Sequence, residues 1–213
     1  MRLLSFRPVA FTSALAVACL MSSGSQAATA VGPRSMAVAD PAGDAKGSQA
    51  ATDITKVLFT TSGKTTTKRV GNKNVKIYTA NALIVQLVLA APPTAAPPVV
   101  YEVDSQTQKC GTMYLYYDPE ELASGGFLGG CSPADATGST TTDIDVIPVV
   151  KGSTITWTMP LSGLPKDMKI GSTITDVQSY VAVADPFTGA STALLTTAAN
   201  FDTAESSSVY KIG

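Results

Sequence analysis

The chain has 213 residues, with 15 basic and 16 acidic side chains, and its formal net charge of −1 provides no general attraction to nucleic acid or anionic membranes. It contains no histidine, which excludes Ser-His-Asp and Cys-His nucleophile systems, histidine metal sites and imidazole acid–base catalysis. Gly-x-Ser-x-Gly, Gly-x-x-x-x-Gly-Lys and Cys-x-x-Cys motifs are missing as well. Carboxylate chemistry or binding remains, and we expect a protein that is not an enzyme.

Residues 1–27 have the pattern of a secretory signal peptide, with two arginines before an apolar run and small residues at its end. Cleavage fits after Ala27 or Ala30. The run is short for a membrane span, and no later stretch supplies about twenty apolar residues, so we expect a secreted protein without a membrane span. An uncleaved anchor and lipid attachment at Cys19 are the alternatives.

The remaining segment, residues 31–213, has a length typical of a single domain. Loss of the two signal arginines leaves 13 basic and 16 acidic residues, a net charge near −3. Cys110 and Cys131 are then the only cysteines, and export favours a disulfide between them. Closing a loop of about twenty residues stabilises by roughly 3 kcal/mol in the chain-entropy model. Two free or metal-binding thiols are the alternative.

A turn rich in carboxylates precedes the first clear β-strand. Its sequence is Asp40-Pro-Ala-Gly-Asp44, and Asp53 stands directly before the strand that begins at Ile54. Asp40, Asp44 and Asp53 offer three hard oxygen ligands of the kind calcium takes. The alternative is that these aspartates form Asx turns and cap the strand.

The next segment reads as an exposed basic β-ribbon over 64–79. Gly71-Asn72 is a two-residue hairpin turn between strands Thr65–Val70 and Asn74–Thr79. No acidic residue occurs between Asp53 and Glu102, so six positive charges have no local partner. An anionic wall polymer is one candidate partner. The alternative is a solvated, charged edge that discourages aggregation between sheets.

Hydrophobic alternation and apolar runs predict about nine strands in the whole chain, with hardly any helical periodicity. Trp157, the sole tryptophan, alternates with threonines in its strand and is expected in the core. Gly-rich residues 124–130 and polar residues 133–142 are expected to be loops. The predicted fold is all-β, an antiparallel β-sandwich of the jelly-roll or immunoglobulin-like type. Outside the ribbon, its expected strands are Met36–Asp40, Ile54–Thr61, Ala82–Ala90, Val99–Val103, Thr112–Tyr117, Asp143–Val150, Thr154–Met159, Thr173–Asp185 and Ser208–Ile212.

Asp118, Glu120 and Glu121 form the densest acidic group. Pro119 follows Asp118, and this order is typical of a solvated helix start with Asp118 as its cap. A glycosidase-like carboxylate pair is the alternative, but closeness in sequence does not establish the separation that glycoside hydrolysis requires.

Tyr114 and Tyr116 are the candidate ligand-binding aromatics. They alternate with Met113, Leu115 and Tyr117, so both phenols face outward if the other three face the core. Two rings about 7 Å apart along a strand could pack against a chain of sugars, with Glu102 on the preceding strand accepting hydroxyl hydrogen bonds. The alternative is that both tyrosines lie under the Gly-rich loop with locally satisfied hydroxyls.

Six short motifs follow one another along the chain: Asp40–Asp44, Asp53-Ile54, Leu87–Ala90, Tyr101-Glu-Val, Ile155–Leu161 and Gly171-Ser-Thr-Ile. Their succession resembles the secreted β-sandwich modules of the DOMON-like group, which includes family 9 carbohydrate-binding modules and the C-terminal domain of glucodextranase-type enzymes. The resemblance implies a structural calcium at the early acidic turn, here Asp40, Asp44 and Asp53. Family 9 modules clamp sugar between paired tryptophans, whereas Trp157 stands alone.

Two functional classes follow from these observations. The first is a secreted, non-catalytic module that binds an extracellular polysaccharide or glycoconjugate. The second is a structural or interaction protein of the cell exterior with no small-molecule ligand. Fold alone does not separate them, because β-sandwiches have many roles.

Overall fold

The computed structural model describes residues 34–46, 49–95, 99–108, 111–119, 123–129, 141–144, 146–165, 168–183 and 200–212. Twelve strands and one short 3-10 turn, Ala50–Thr52, account for the regular structure of these residues. Within them, no helix is long and apolar enough to cross a membrane. The predicted all-β sandwich is confirmed, because the strands form two antiparallel sheets of five and seven strands.

The five-stranded sheet contains the longest strands of the molecule. It has the order β1-β2-β3-β9-β8, and its members are β1 (Ser35–Ala39), β2 (Ile54–Val70), β3 (Lys73–Leu89), β8 (Val149–Lys151) and β9 (Thr154–Pro160).

The seven-stranded sheet contains the other seven strands. Its members are β4 (Val99–Thr107), β5 (Gly111–Asp118), β6 (Ala123–Gly129), β7 (Thr141–Ile144), β10 (Thr173–Val183), β11 (Asn200–Ser206) and β12 (Tyr210–Lys211). The order is β11-β10-β4-β5-β6-β7. Strand β12 pairs with Thr173 and Ile174 of β10, before the part of β10 that pairs with β11.

The core lies between the two sheets, where alternate residues of each strand meet. Trp157 of β9 is fully buried, as predicted, and its indole Nε1 donates a hydrogen bond to the backbone carbonyl of Tyr116 on β5, 3.3 Å away. This bond joins the two sheets and fixes β5 relative to β9. The other large, fully buried side chains include Phe59, Leu83, Leu87, Tyr101, Met113, Leu115, Ile155 and Met159.

Two of the predicted strand boundaries are wrong because a strand continues through them. The strand expected to end at Thr61 continues to Val70. Ser62-Gly63, which follows the predicted end, forms a β-bulge within the strand. Its neighbour likewise runs without a break from Lys73 to Leu89. The predicted turn at Gly71 is present, and the positive φ of 60° suits a glycine at the first position of a two-residue hairpin.

The Gly-rich segment expected as a loop is mostly strand β6. At two of its glycines, Gly125 and Gly126, neighbouring side chains fill the space that a Cβ would occupy. A Cβ on Gly126 would lie 2.7 Å from the side chain of Leu115, and one on Gly125 would lie 3.0 Å from the ring of Tyr116. Glycine therefore marks close packing at these positions and not a turn.

The predicted strand Asp143–Val150 is also wrong, because this segment supplies strands to both sheets. Strand β7 ends at Ile144 in one sheet and β8 begins at Val149 in the other, with Pro148 directly before β8. Strand β11 was not predicted, because its sequence Asn-Phe-Asp-Thr-Ala-Glu-Ser has few apolar residues.

Several predictions concern residues outside those described: the signal peptide at 1–27, Cys19, the acidic residues Glu120 and Glu121, and the disulfide of Cys110 with Cys131. The disulfide stays a prediction.

Candidate functional site

Four carboxylates gather at the end of the sandwich where β2 begins. Oxygen atoms of Asp40, Asp44 and Asp202 all lie within 4.8 Å of one another, and Asp53 adjoins them. We refer to Asp40, Asp44, Asp53 and Asp202 as the acid cluster. It combines the early acidic turn with a strand about 150 residues later.

Backbone hydrogen bonds hold the acid cluster in place. Asp202 Oδ2 accepts a hydrogen bond from the N–H of Ile54, and its Oδ1 accepts one from Thr203 at 2.8 Å. Asp53 Oδ2 accepts from the N–H of Gly43 at 2.7 Å, in the turn between Asp40 and Asp44. The turn is thereby tied to the start of β2.

Two members of the acid cluster, Asp40 and Asp202, have raised pKa values. Burial raises the pKa of Asp40 to about 6, and the charges of Asp202, Asp44 and Asp53 add to the effect. Burial also raises the pKa of Asp202, although hydrogen bonds from Ile54 and Thr203 oppose this. A divalent cation would relieve this repulsion.

The donor set of the acid cluster fits a hard cation. Asp53 is only 5 % exposed, and its Oδ1 is buried without a hydrogen-bond partner among the described residues. Asp40 Oδ2 is in the same situation. Calcium takes six to eight oxygen ligands and accepts carboxylates, backbone carbonyls and water, so this set suits it.

The sequence identified part of this cluster. Asp40 and Asp44 belong to the closely spaced group, and Asp53, the third predicted ligand, lies beside it with one oxygen engaged by Gly43. Sequence reasoning missed Asp202, because it lies on a strand that hydrophobic alternation does not reveal. The only signal for it was its acidic character.

A second group of side chains lies on the outer face of the seven-stranded sheet. Glu102 of β4 is paired in register with Tyr116 of β5 on one side and with Tyr180 of β10 on the other. Asp104, two residues further along β4, is paired with Tyr114. We call Tyr114, Tyr116 and Tyr180 the tyrosine platform, and Glu102 and Asp104 the carboxyl pair.

Residue alternation explains why these side chains share a face. Met113 and Leu115 are fully buried on the inner face of β5, so Tyr114 and Tyr116 project outward, as the sequence predicted. Both tyrosines are partly exposed. The Gly-rich segment runs beside β5 as its partner strand β6. Glu102 also lies next to Tyr116 as anticipated, whereas Asp104 and Tyr180 were not predicted.

The carboxyl pair is buried beneath this surface. Glu102 is 2 % exposed and Asp104 is 6 % exposed. Burial raises the pKa of Asp104 to about 9, and the adjacent charge of Glu102 and a hydrogen bond to it act in the same direction. The carboxyl pair therefore holds a proton at neutral pH, in the hydrogen bond between Asp104 and Glu102. Asp104 Oδ1 is buried and has no hydrogen-bond partner in the described structure.

The rings of the tyrosine platform have defined surroundings. The ring of Tyr116 lies over Gly125 of β6, where a Cβ would touch it. The hydroxyl of Tyr180 donates a hydrogen bond to Gln178 Oε1. Burial raises the pKa of Tyr180 to about 12, with contributions from the negative charges of Asp104, Glu205 and Glu102. The phenol is therefore neutral at physiological pH.

A surface pocket of about 400 Å³ connects this face to the acid cluster. Its lining includes Tyr180, Gln178 and Glu205 together with Asp44 and Asp202 of the acid cluster. The platform and the acid cluster are thus neighbours.

No family model, curated protein or solved structure matches this chain. The candidate site is therefore interpreted from its own chemistry.

Proposed function

We propose that the protein is a secreted, non-catalytic module that binds an extracellular polysaccharide or glycoconjugate on the tyrosine platform. The observation that carries the proposal is the arrangement of three partly exposed tyrosines around a buried carboxyl pair on an outer sheet face. The motif resemblance to DOMON-like modules implies a secreted β-sandwich module, but the paired tryptophans with which family 9 modules clamp sugar have no counterpart, since Trp157 is the sole tryptophan.

The dimensions of the platform suit a sugar chain. Tyr114 and Tyr116 are about 7 Å apart along one strand, and Tyr180 lies two strands from Tyr116, about 10 Å away. Phenol rings pack against the apolar faces of pyranose rings, while their hydroxyls and the nearby amide of Gln178 exchange hydrogen bonds with sugar hydroxyls.

The experiment measures retention of the protein on insoluble polysaccharides and on a glycan array. Replacing the two β5 aromatics, Tyr114→Ala/Tyr116→Ala, is expected to weaken binding at least tenfold on the glycan that retains the wild type. Tyr78→Ala is the control, because Tyr78 is a partly buried tyrosine of the other sheet. Unchanged binding by the folded double variant would remove the platform from the site.

A second substitution tests the position of one ring without removing it. A Cβ at Gly125 meets the Tyr116 ring at 3.0 Å, whereas a Cβ at Gly129, on the same face of β6, has its nearest neighbour at 3.7 Å. Gly125→Ala should displace the ring and weaken glycan binding, and Gly129→Ala should not. Absence of glycan binding by the wild type on every surface would favour the alternative, a structural protein of the cell exterior without a small-molecule ligand.

A structural calcium ion in the acid cluster is the second part of the proposal. Its support is the close approach of Asp40, Asp44 and Asp202 together with the buried, unpartnered oxygen of Asp53. The cation would bind the early turn to β11 and β2 and so order one wall of the pocket beside Tyr180. It would have a structural role, with no part in any reaction.

A further inference from the structure

The β-ribbon extends beyond the sheet that contains its two strands. Strand β1 pairs with β2 only as far as Thr60, and β9 pairs with β3 only from Ala82. Between Gly63 and Ala80 the two strands pair with each other, and within the described part of the chain no further strand pairs with them. Every side chain from 64 to 70 is exposed. The glycan-binding proposal does not explain this projection.

The ribbon is strongly basic. It carries five cationic side chains, and no acidic residue occurs anywhere between Asp53 and Glu102. A positive charge of this density favours an anionic partner. The cationic residues are Lys64, Lys68, Arg69, Lys73 and Lys76.

The register divides the ribbon into two faces of different chemistry. Pairs such as Lys68 with Val75 and Val70 with Lys73 place both members on one face, because cross-strand partners point the same way. We call this face the lysine–aliphatic face; it consists of Lys64, Thr66, Lys68, Val70, Lys73, Val75, Ile77 and Thr79.

The opposite face is polar and partly tied to the body. It carries Arg69 and Lys76 together with threonines and Tyr78, whose hydroxyl donates to the backbone carbonyl of Thr61 at 3.0 Å. On the lysine–aliphatic face, in contrast, Val70 is 56 % exposed and Ile77 is 38 % exposed. Large aliphatic side chains are thus presented to solvent among lysines on one face.

We propose that the lysine–aliphatic face docks on an anionic phospholipid surface. A soluble polyanion needs only positive charge, which both faces offer, and provides no apolar environment for Val70, Val75 and Ile77. A bilayer surface provides both, since its headgroups attract lysine and its acyl boundary accepts aliphatic side chains. Val70 stands beside the Gly71 turn, so an apolar residue lies at the tip of the projection.

The test is cosedimentation of the purified protein with vesicles of phosphatidylcholine alone or mixed with phosphatidylglycerol. Binding is expected only to the mixed vesicles and should weaken as salt rises. One lysine near an anionic surface contributes about five-fold in affinity. Lys68→Gln/Lys73→Gln should therefore reduce binding tenfold or more.

The matched control removes the same charge from the opposite face. Arg69→Gln/Lys76→Gln should reduce binding only a few-fold, because long-range attraction falls without loss of contact. Val70→Thr/Ile77→Thr keeps every charge and should also weaken vesicle binding. These positions lie outside the core, so melting temperatures should stay close to that of the wild type.

Three outcomes would overturn the proposal. The first is no preference for the phosphatidylglycerol vesicles. The second is equal loss in the two charge pairs with no effect of Val70→Thr/Ile77→Thr, which would indicate a response to charge alone. The third is tighter binding to a soluble polyanion such as dextran sulfate, with the two faces equivalent. None of these outcomes depends on whether the tyrosine platform binds a glycan.

Discussion

The carboxyl group of Asp104 is buried beneath the tyrosine platform, and its ionisation opposes folding. Its pKa is near 3.9 in an unfolded chain and is raised to about 9 in the folded protein. A raised carboxyl pKa means that the folded state is favoured by the protonated form. This contribution is complete below about pH 4 and is lost progressively as the pH rises toward 9.

Asp104→Asn should therefore become more stable relative to the wild type as the pH rises. The asparagine amide keeps a donor toward Glu102 but cannot ionise. The melting-temperature difference between variant and wild type should grow from pH 5 to pH 9 and then level off. Asp143→Asn, at an exposed position, is the control and should show no such trend. Parallel curves for Asp104→Asn and wild type would show that Asp104 does not titrate in this range.

The tyrosine platform shows which neighbours a sequence pattern can predict and which it cannot. The alternation of side chains in β5, together with the position of Glu102 on the preceding strand, was enough to predict that Tyr114, Tyr116 and Glu102 share one face. Tyr180 joins them only through the register of β10 with β4, nearly eighty residues away in sequence. No local pattern contains that register, because it depends on the packing of the whole sheet.

Among the elements, β9 connects the core to the candidate site. Trp157 buries its ring between the sheets and donates its indole N–H to the carbonyl of Tyr116, on whose side chain the platform depends. The bond crosses from one sheet to the other. A displacement of β9 would therefore act on β5 through this hydrogen bond.

Trp157→Phe should destabilise the fold by about 2 kcal/mol, because it removes this hydrogen bond and leaves unfilled volume in the core. Denaturant unfolding monitored by circular dichroism measures the change. Met159→Leu, also fully buried on β9, keeps its volume and should cost less than about 1.5 kcal/mol. Equal losses in the two variants would show that the indole donor contributes nothing.

Strands that bury apolar residues were the ones that sequence patterns could predict. Strand β9 alternates apolar residues with threonine, and its end is marked by Pro160. Strand β11 lies at a sheet edge and needs few apolar residues, while β6 is rich in glycine because its neighbours cover it. Edge position and close packing are properties of the assembled sheet, and hydrophobic periodicity does not encode them.

For the molecule as a whole, calcium should act as a stabilising ligand. A cation that binds only the folded state at a hundred times its dissociation constant adds about 2.7 kcal/mol of stability. The melting temperature should therefore rise from EDTA to millimolar calcium. The rise should be smaller at pH 5 than at pH 7, because protons compete at Asp40, whose pKa is about 6.

Asp44→Asn should remove calcium binding without destabilising the metal-free protein, because Asp44 is the exposed member of the acid cluster. This variant should lose the calcium-dependent rise while melting near the wild-type temperature in EDTA. Asp143→Asn makes the same charge change outside the acid cluster and should keep the rise. Coincident wild-type curves in EDTA and in calcium would exclude a stabilising site.

The length of β2 gives the molecule a permanent electric dipole. The acid cluster surrounds the beginning of this strand and the basic ribbon forms its end, so 17 residues, on the order of 50 Å, separate charges of opposite sign. This distance exceeds several Debye lengths at physiological salt, where each end acts independently. In dilute buffer the field reaches across the molecule, and neighbouring copies should align head to tail. Light scattering that shows association only at low ionic strength would be the signature of this polarity.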